Sequence, residues 1–222
     1  MPEIRPGRRG YIAIEGPIGV GKTTLAEILA NRLGGRLVLE LAEENPFLAD
    51  FYKNRDRFAF HTQIFFLMSR FRQQEEFSSY DLFSQSVVSD YLFAKDRIFA
   101  RINLSDREFA LYDRIATALE QNVVWPDLVI YLTASLETLM RRIKRRDRSF
   151  ERGFDREYLE ALCETYADYF FHYERTPLLV VKTDNVDFSR EPDRFEYLAE
   201  KILSKPRNTE YISFESLSLD HR

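Results

Sequence analysis

One stretch constrains this chain more than any other. Gly16-Pro-Ile-Gly-Val-Gly21-Lys22-Thr23 satisfies the pattern G-x-x-x-x-G-K-[ST], and Thr24 follows it. It stands between an apolar run, Tyr11–Ile14, that reads as a strand and the segment Lys22 to Leu33, where Leu25, Ile28, Leu29 and Leu33 recur on one helical face. A glycine-rich turn in that position lets backbone N–H groups curl around phosphate oxygens, and the helix N-terminus adds favourable partial charge. Lys22 then reaches the β- and γ-phosphates, and the Thr23 hydroxyl stands at a magnesium position. At average residue frequencies a chain of this size matches by chance on the order of one time in a hundred. A preceding strand and a following helix lower those odds again. Gly16, Pro17, Ile18, Gly19, Val20, Gly21, Lys22, Thr23 and Thr24 are therefore expected to cradle the phosphates of ATP.

The rest of the chain repeats that alternation. Further apolar runs at Leu37–Leu39, Ser86–Val88, Leu128–Leu132 and Leu178–Val181 are short and not strictly alternating, as strands of a parallel sheet covered on both faces are. Helical patterns separate them: Arg57 to Phe77, rich in aromatics, and Glu108 to Gln121, with Leu111, Ile115 and Leu119 inward. Leu136 to Arg146 follows, capped by Ser135, and then a helix capped by Asp155 that runs to about Arg175. Gly34-Gly35 ends the first helix. Strand and helix in alternation predict a doubly wound α/β fold, three layers deep, with a roughly five-stranded parallel sheet and an arginine-bearing lid. A single domain spans residues 1–222, and its tail from about Pro206 is flexible unless Tyr211, Ile212 and Phe214 dock it. The aromatic residues Phe58, Phe60, Phe65, Phe66 and Phe71 read as core.

Composition narrows the partners. At 222 residues, 45% hydrophobic and 31% charged, the chain has the composition of one globular domain. Its net charge of -4 lacks the basic surplus of a duplex-DNA binder, so no nucleic-acid partner is expected. No long apolar stretch follows the arginines at the N-terminus, so neither a signal peptide nor a membrane span is expected, and the cytoplasm is the expected compartment. The single cysteine, Cys163, reads as an inert thiol beside Leu159 and Leu162. After Gly35 the one remaining glycine is Gly153, preceded three residues earlier by Phe150, which rules out a D-x-x-G switch. With no N-K-x-D motif either, a GTPase is excluded and a small-molecule kinase remains.

In-line phosphoryl transfer needs a base for the acceptor, a magnesium carboxylate and cations around the moving phosphoryl. Glu40 and Asp90 end the second and third strands, at the rim where parallel sheets carry their ligands. Arg142, Arg146 and Arg148 cluster beyond a helix start, as a lid would.

These features together resemble the deoxynucleoside kinase family, most of all its bacterial purine branch. The resemblance extends to about Phe188 and rests on Gly16–Thr23, Glu40-Leu-Ala-Glu-Glu-Asn-Pro-Phe47, Phe51-Tyr52, Gln63 with Ser69-Arg70, Ser89-Asp90-Tyr91 followed by Lys95-Asp96, the lid arginines, and Asp184-Asn-Val-Asp-Phe188. It implies that Glu40 accepts the proton of the nucleoside 5′-hydroxyl and that Tyr52 holds the 3′-hydroxyl. It implies too that Gln63, Arg70 and Asp96 read the base, and that Asp90 and Thr23 stand near Mg²⁺. Lys22, Arg142, Arg146 and Arg148 would attend the phosphates, Glu151 the substrate, and Asp184, Asn185, Asp187 and Phe188 the adenine of ATP. A homodimer built from helices is implied as well. Gln63 and Arg70, seven residues apart, fall on one helix face. In one place the chain departs from the family: Tyr91 stands where an arginine is usual, and the sequence leaves open whether Tyr91 or Lys95 takes over its role. Two other readings compete. A nucleoside-monophosphate kinase would want an arginine where Glu40 and Tyr52 stand, and a non-catalytic ATP-binding regulator would bind without turnover.

Overall fold

The computed structural model describes residues 10–79, 86–146 and 155–214. A six-stranded sheet in the order β2-β3-β1-β4-β5-β6, parallel throughout, forms its middle layer. The strands are β1 Tyr11–Glu15, β2 Arg36–Val38, β3 Val87–Ser89, β4 Leu128–Thr133, β5 Leu178–Lys182 and β6 Glu210–Ser213. Ile12 of β1 lies opposite both Val88 and Leu128, which makes β1 the hub of the sheet. Its neighbours are covered on both faces, and Ala13, Ile14, Val88, Val129, Ile130 and Leu132 are wholly buried.

The helices are α1 Lys22–Leu33, α2 Leu48–Lys53, α3 Arg55–Ser79, α4 Lys95–Asn103, α5 Asp106–Glu120, α6 Leu136–Arg146, α7 Arg156–Phe171 and α8 Pro192–Leu203, with a 3₁₀ turn at Ala42–Glu44. Local chemistry sets their ends. Gly34 takes a left-handed conformation (φ 58°) and closes α1 by donating to Ala30 and Asn31, a stop that side chains resist. Ser105 and Glu108 form a capping box at the start of α5. The Asp155 side chain accepts from Glu157 N at the start of α7 (3.0 Å).

Three expectations are corrected. The sheet has a sixth strand: Glu210–Ser213 pairs with β5, Val181 opposite Ile212. The stretch read as a tail docks through Ile212 and Phe214, while Tyr211 is 77% exposed. On α5 the buried side chains are Tyr112 and Ala116, and Leu111 is 52% exposed. The helix is turned so that Ile115 and Leu119 only graze the core. The last long helix ends at Phe171, short of Arg175.

The core has two parts. One wraps the sheet. The other joins α2, α3, α4 and α5 through Phe51, Leu67, Phe93, Ala100 and Tyr112, with Phe58, Phe60, Phe66 and Phe71 packed on its margin. That helical block stands beside the carboxyl ends of β2 and β3, and the crevice between block and sheet is where the site lies.

Candidate active site

Chain direction places the site's parts. In this strand order β2 and β3 lie on one side of β1 and β4 on the other, so the crevice opens at the carboxyl rim beside β1. The phosphate loop leaves β1 there. A Cβ on Gly16 (φ 149°) would collide with the Leu132 carbonyl oxygen, so glycine is required for the close approach. Lys22 curls back over the loop, donating to the carbonyls of Gly16 (2.7 Å) and Pro17 (3.2 Å). Burial lowers its ammonium pKa to about 8, and Lys95 adds to that effect against the pull of Glu15, Glu40 and Asp90.

Glu15, which ends β1, is wholly buried and escaped the sequence reading. Its Oε1 accepts from Gly16 N (2.8 Å) and the Tyr166 hydroxyl (2.9 Å), and its Oε2 from Leu92 N (2.8 Å). One carboxylate thus ties the phosphate loop to α7 and to the segment after β3. The signal was there: a charged residue inside an otherwise apolar strand.

Asp90 joins the two halves of the rim. Its Oδ2 accepts from the Thr23 hydroxyl (2.6 Å) and its Oδ1 from Glu40 N (2.7 Å). Among the described residues no group of three or more His, Cys, Asp or Glu side chains is gathered to hold a metal ion. Two hard oxygen donors side by side suit a magnesium ion that takes its other ligands from phosphate and water. Thr23 and Asp90 therefore fit the ion that the sequence implies.

Glu40 stands between cations. Arg70 pairs with its Oε1, and Lys95 donates to its Oε2 at 2.6 Å. Burial by itself would raise the Glu40 carboxyl, but Lys95 and Arg70, with Lys22 beyond them, outweigh it and hold the group well below the usual carboxylate range. Arg70 also pairs with Asp96, and its guanidinium lies between the rings of Phe66 (5.2 Å) and Tyr91 (5.6 Å). Gln63, Arg70 and Asp96 are each at most 3% exposed. Gln63 Oε1 and Asp96 Oδ2 are buried with no hydrogen-bond partner among the described residues.

Two cavities meet at this point. The first is lined by Tyr52, Gln63, Phe66, Arg70, Asp96 and Tyr158, with Glu40 and Lys95 at its inner end. It encloses about 1020 Å³ including the solvent at its open mouth. The second runs along the start of α1, the face of α6 and the loop Thr183–Phe188. Gly19, Lys22, Thr23 and Arg146 line both. The second cavity holds Val20, Gly21, Thr24 and the loop residues Asp184, Asn185, Asp187 and Phe188, and Ile18 lines the first. Glu43 and Glu44 are exposed and line neither cavity.

Arg142 has a different place from the one a mobile lid suggests. Its guanidinium donates to the carbonyls of Val20 (3.1 Å), Thr183 (2.6 Å) and Val186 (3.1 Å) and to the Thr183 hydroxyl (3.2 Å). It straps the phosphate loop to the loop after β5. Asp184 accepts from Ser135 N (2.8 Å), and Phe188 meets the ring of Phe214 edge-on at 5.8 Å. Arg148 and Glu151 lie outside the described residues.

A lysine-bearing phosphate loop at the rim of a parallel sheet, beside a half-buried carboxylate in the first cavity, defines a P-loop phosphotransferase. A family model described as deoxynucleoside kinase matches residues 12–205. The deoxyguanosine kinase of Bacillus subtilis (strain 168) is 39% identical over 197 residues, covering 86% of this chain and 95% of that protein. The deoxyadenosine/deoxycytidine kinase of the same organism is 29% identical over 211 residues, 92% and 96% of the two chains. Among solved structures, deoxyadenosine kinase from M. mycoides with bound dATP superposes with a TM-score of 0.77 at 27% identity, over 88% of this chain and 100% of that one. The chain belongs to the deoxynucleoside kinase family, and with it to the ATP-dependent phosphotransferases.

Proposed function

We propose that this chain transfers the γ-phosphoryl group of Mg-ATP to the 5′-hydroxyl of a purine deoxynucleoside. The observation that carries the reading is the meeting of the two cavities at Lys22, Thr23 and Arg146, with Glu40 just inside the first. The second cavity suits ATP, its phosphates on the loop Gly16–Thr24 and its adenine against Asp184, Asn185, Asp187 and Phe188. The first suits a nucleoside. Tyr52 on its wall would suit the sugar hydroxyl, and Gln63, Arg70 and Asp96 on the same wall would suit the base. The buried, unpartnered acceptors Gln63 Oε1 and Asp96 Oδ2 call for N–H donors, which a purine's exocyclic amine or ring N–H supplies. Deoxyguanosine and deoxyadenosine stand foremost, in keeping with the relatives' names.

Glu40 accepts the hydroxyl proton as the oxygen attacks phosphorus, and Lys22 and Arg146 offset the charge gathered on the transferred group. Arg148 and Glu151 keep the roles the family implies. Arg142 serves by bracing the phosphate loop. Magnesium at Thr23 and Asp90 would neutralise phosphate charge. A monophosphate acceptor would bring its own negative charge against Glu40, which disfavours the nucleotide-kinase alternative. We place the reaction in the cytoplasm, without nucleic acid, and in a homodimer whose shared face is formed by α3 and α5, where Met68 (43%) and Leu111 (52%) are exposed.

Phosphate transfer from Mg-ATP to the four deoxynucleosides, their ribo-forms and their monophosphates tests this. The expected result is turnover of deoxyguanosine or deoxyadenosine well above every monophosphate. Turnover of monophosphates alone would remove Glu40 from the role of base.

A further inference from the structure

Lys95 opens α4 at the wall of the nucleoside cavity. It is 4% exposed, an unusual place for an ammonium group, which is seldom buried without a partner. Its partner is Glu40, 2.6 Å away, and its other close neighbour is the face of Phe99, 5.5 Å from the ring centroid. Lys22 lies near enough that the two ammonium groups repel. A buried lysine and a half-buried one therefore line the cavity in which the phosphoryl group would move. The neighbouring residues cannot do what Lys95 does. Arg70 occupies the other Glu40 oxygen and is shared with Asp96. The Tyr91 hydroxyl is buried without a partner among the described residues, and its ring supports Arg70 from one side. Tyr91 brings packing to this corner but no charge.

We infer that Lys95 is a positioning residue for phosphoryl transfer, which fixes the Glu40 carboxylate toward the acceptor hydroxyl. The inference rests on the proposed kinase reading. With Lys95 on one Glu40 oxygen and Arg70 on the other, one lone pair of each is engaged, so the carboxylate cannot rotate away and keeps a second lone pair free for the hydroxyl proton. Arg70 alone would leave it hinged about a single contact.

The test is steady-state kinetics on the full chain with K95M, K95Q, K95R and the double variant E40Q/K95M, using Mg-ATP and the preferred deoxynucleoside. K95M and K95Q are expected to lower kcat by roughly 10²-fold, the scale of losing one placed charge at a reacting centre, with KM for ATP within about threefold. K95R should recover at least tenfold of the loss. Because Lys95 acts through Glu40, E40Q/K95M should be no more than about threefold slower than E40Q by itself. A K95M enzyme with kcat within about threefold of the parent would overturn the inference, as would full additivity in the double variant or K95R no better than K95M. If K95M does not fold, the ratio of K95R to K95Q decides in the same way. An active parent with indifferent Lys95 variants sinks this inference alone, whereas a parent inactive on every deoxynucleoside sinks the kinase reading with it.

Discussion

Glu15 and Glu40 are the same residue type at the same rim of the sheet, and their surroundings give them different work. Glu15 is closed in by neutral donors, two backbone N–H groups and a tyrosine hydroxyl. Every contact ties one element to another, so it is a joint. Glu40 faces a cavity and is held by two cations, which keep it ionised, as the proposed proton acceptor must be. Cys163 shows the same logic without function. Half-buried on α7, its thiol is pushed up to about 11 by burial, with Glu160 and Glu164 adding to the rise. Since the thiolate is the reactive form, at pH 8 only about one thiol in a thousand is ionised, against roughly a quarter for an ordinary cysteine. Alkylation of the folded chain at pH 8 should therefore run about two orders of magnitude slower than that of the unfolded chain, and speed up as pH rises toward 11. A cysteine that reacts as fast folded as unfolded would show that the helix face is open.

At the scale of elements, the sixth strand carries the clearest consequence. Phe214, just beyond β6, is 3% exposed and meets Phe188 and Tyr197 edge-on at 5.8 and 6.1 Å. Phe188 belongs to the loop that lines the second cavity, so the strand buttresses the proposed adenine site. Phe214→Ala should cost about 3–5 kcal/mol of stability and raise KM for ATP several-fold, while KM for the nucleoside stays nearly unchanged. Equal rises in both would mean that the strand supports the whole domain and not that loop. This strand was the element least legible from sequence, for a physical reason. Buried parallel strands announce themselves as apolar runs, but an edge strand such as Glu210-Tyr-Ile-Ser213 buries one residue and exposes its neighbours. The inner strands and the helices α1 and α6 were legible because apolar runs, Gly34 and Ser135 mark them locally. The orientation of α5 was not, since Leu111 and Tyr112 are both apolar neighbours and tertiary packing chooses between them. Within the site, Gly16–Thr24 is marked by its own motif, and Glu40, Gln63, Arg70, Asp90 and Asp96, which the family resemblance singles out, line one cavity. The strap made by Arg142 could not, because it depends on a loop that folds back from Thr183, more than a helix away in sequence.

At the scale of the whole molecule, a phosphate-loop sheet and a helical block meet along one crevice, and the reaction is proposed for the line of contact. Met68 on α3 and Leu111 on α5 are exposed large apolar side chains on helices that pack against each other, and these two helices form the shared face of the proposed dimer. Sedimentation of the parent chain is expected to give a dimer at micromolar concentration, and M68E/L111E a monomer that keeps its helical content. A parent that sediments as a monomer would place the shared face elsewhere or remove it.

The proposed reaction turns on Glu40 as the group that takes the proton. Single-turnover transfer by the Glu40→Gln variant, measured beside its affinity for ATP, tests that most directly. The substitution keeps size while removing basicity and one of the two accepting oxygens, so the rate should fall by roughly 10²–10⁴-fold, the range for a positioned base, with ATP binding within a few-fold of the parent. An E40Q enzyme that turns over at near the parental rate would contradict the account, and would leave the carboxylate as an anchor for Arg70 and Lys95 and nothing more.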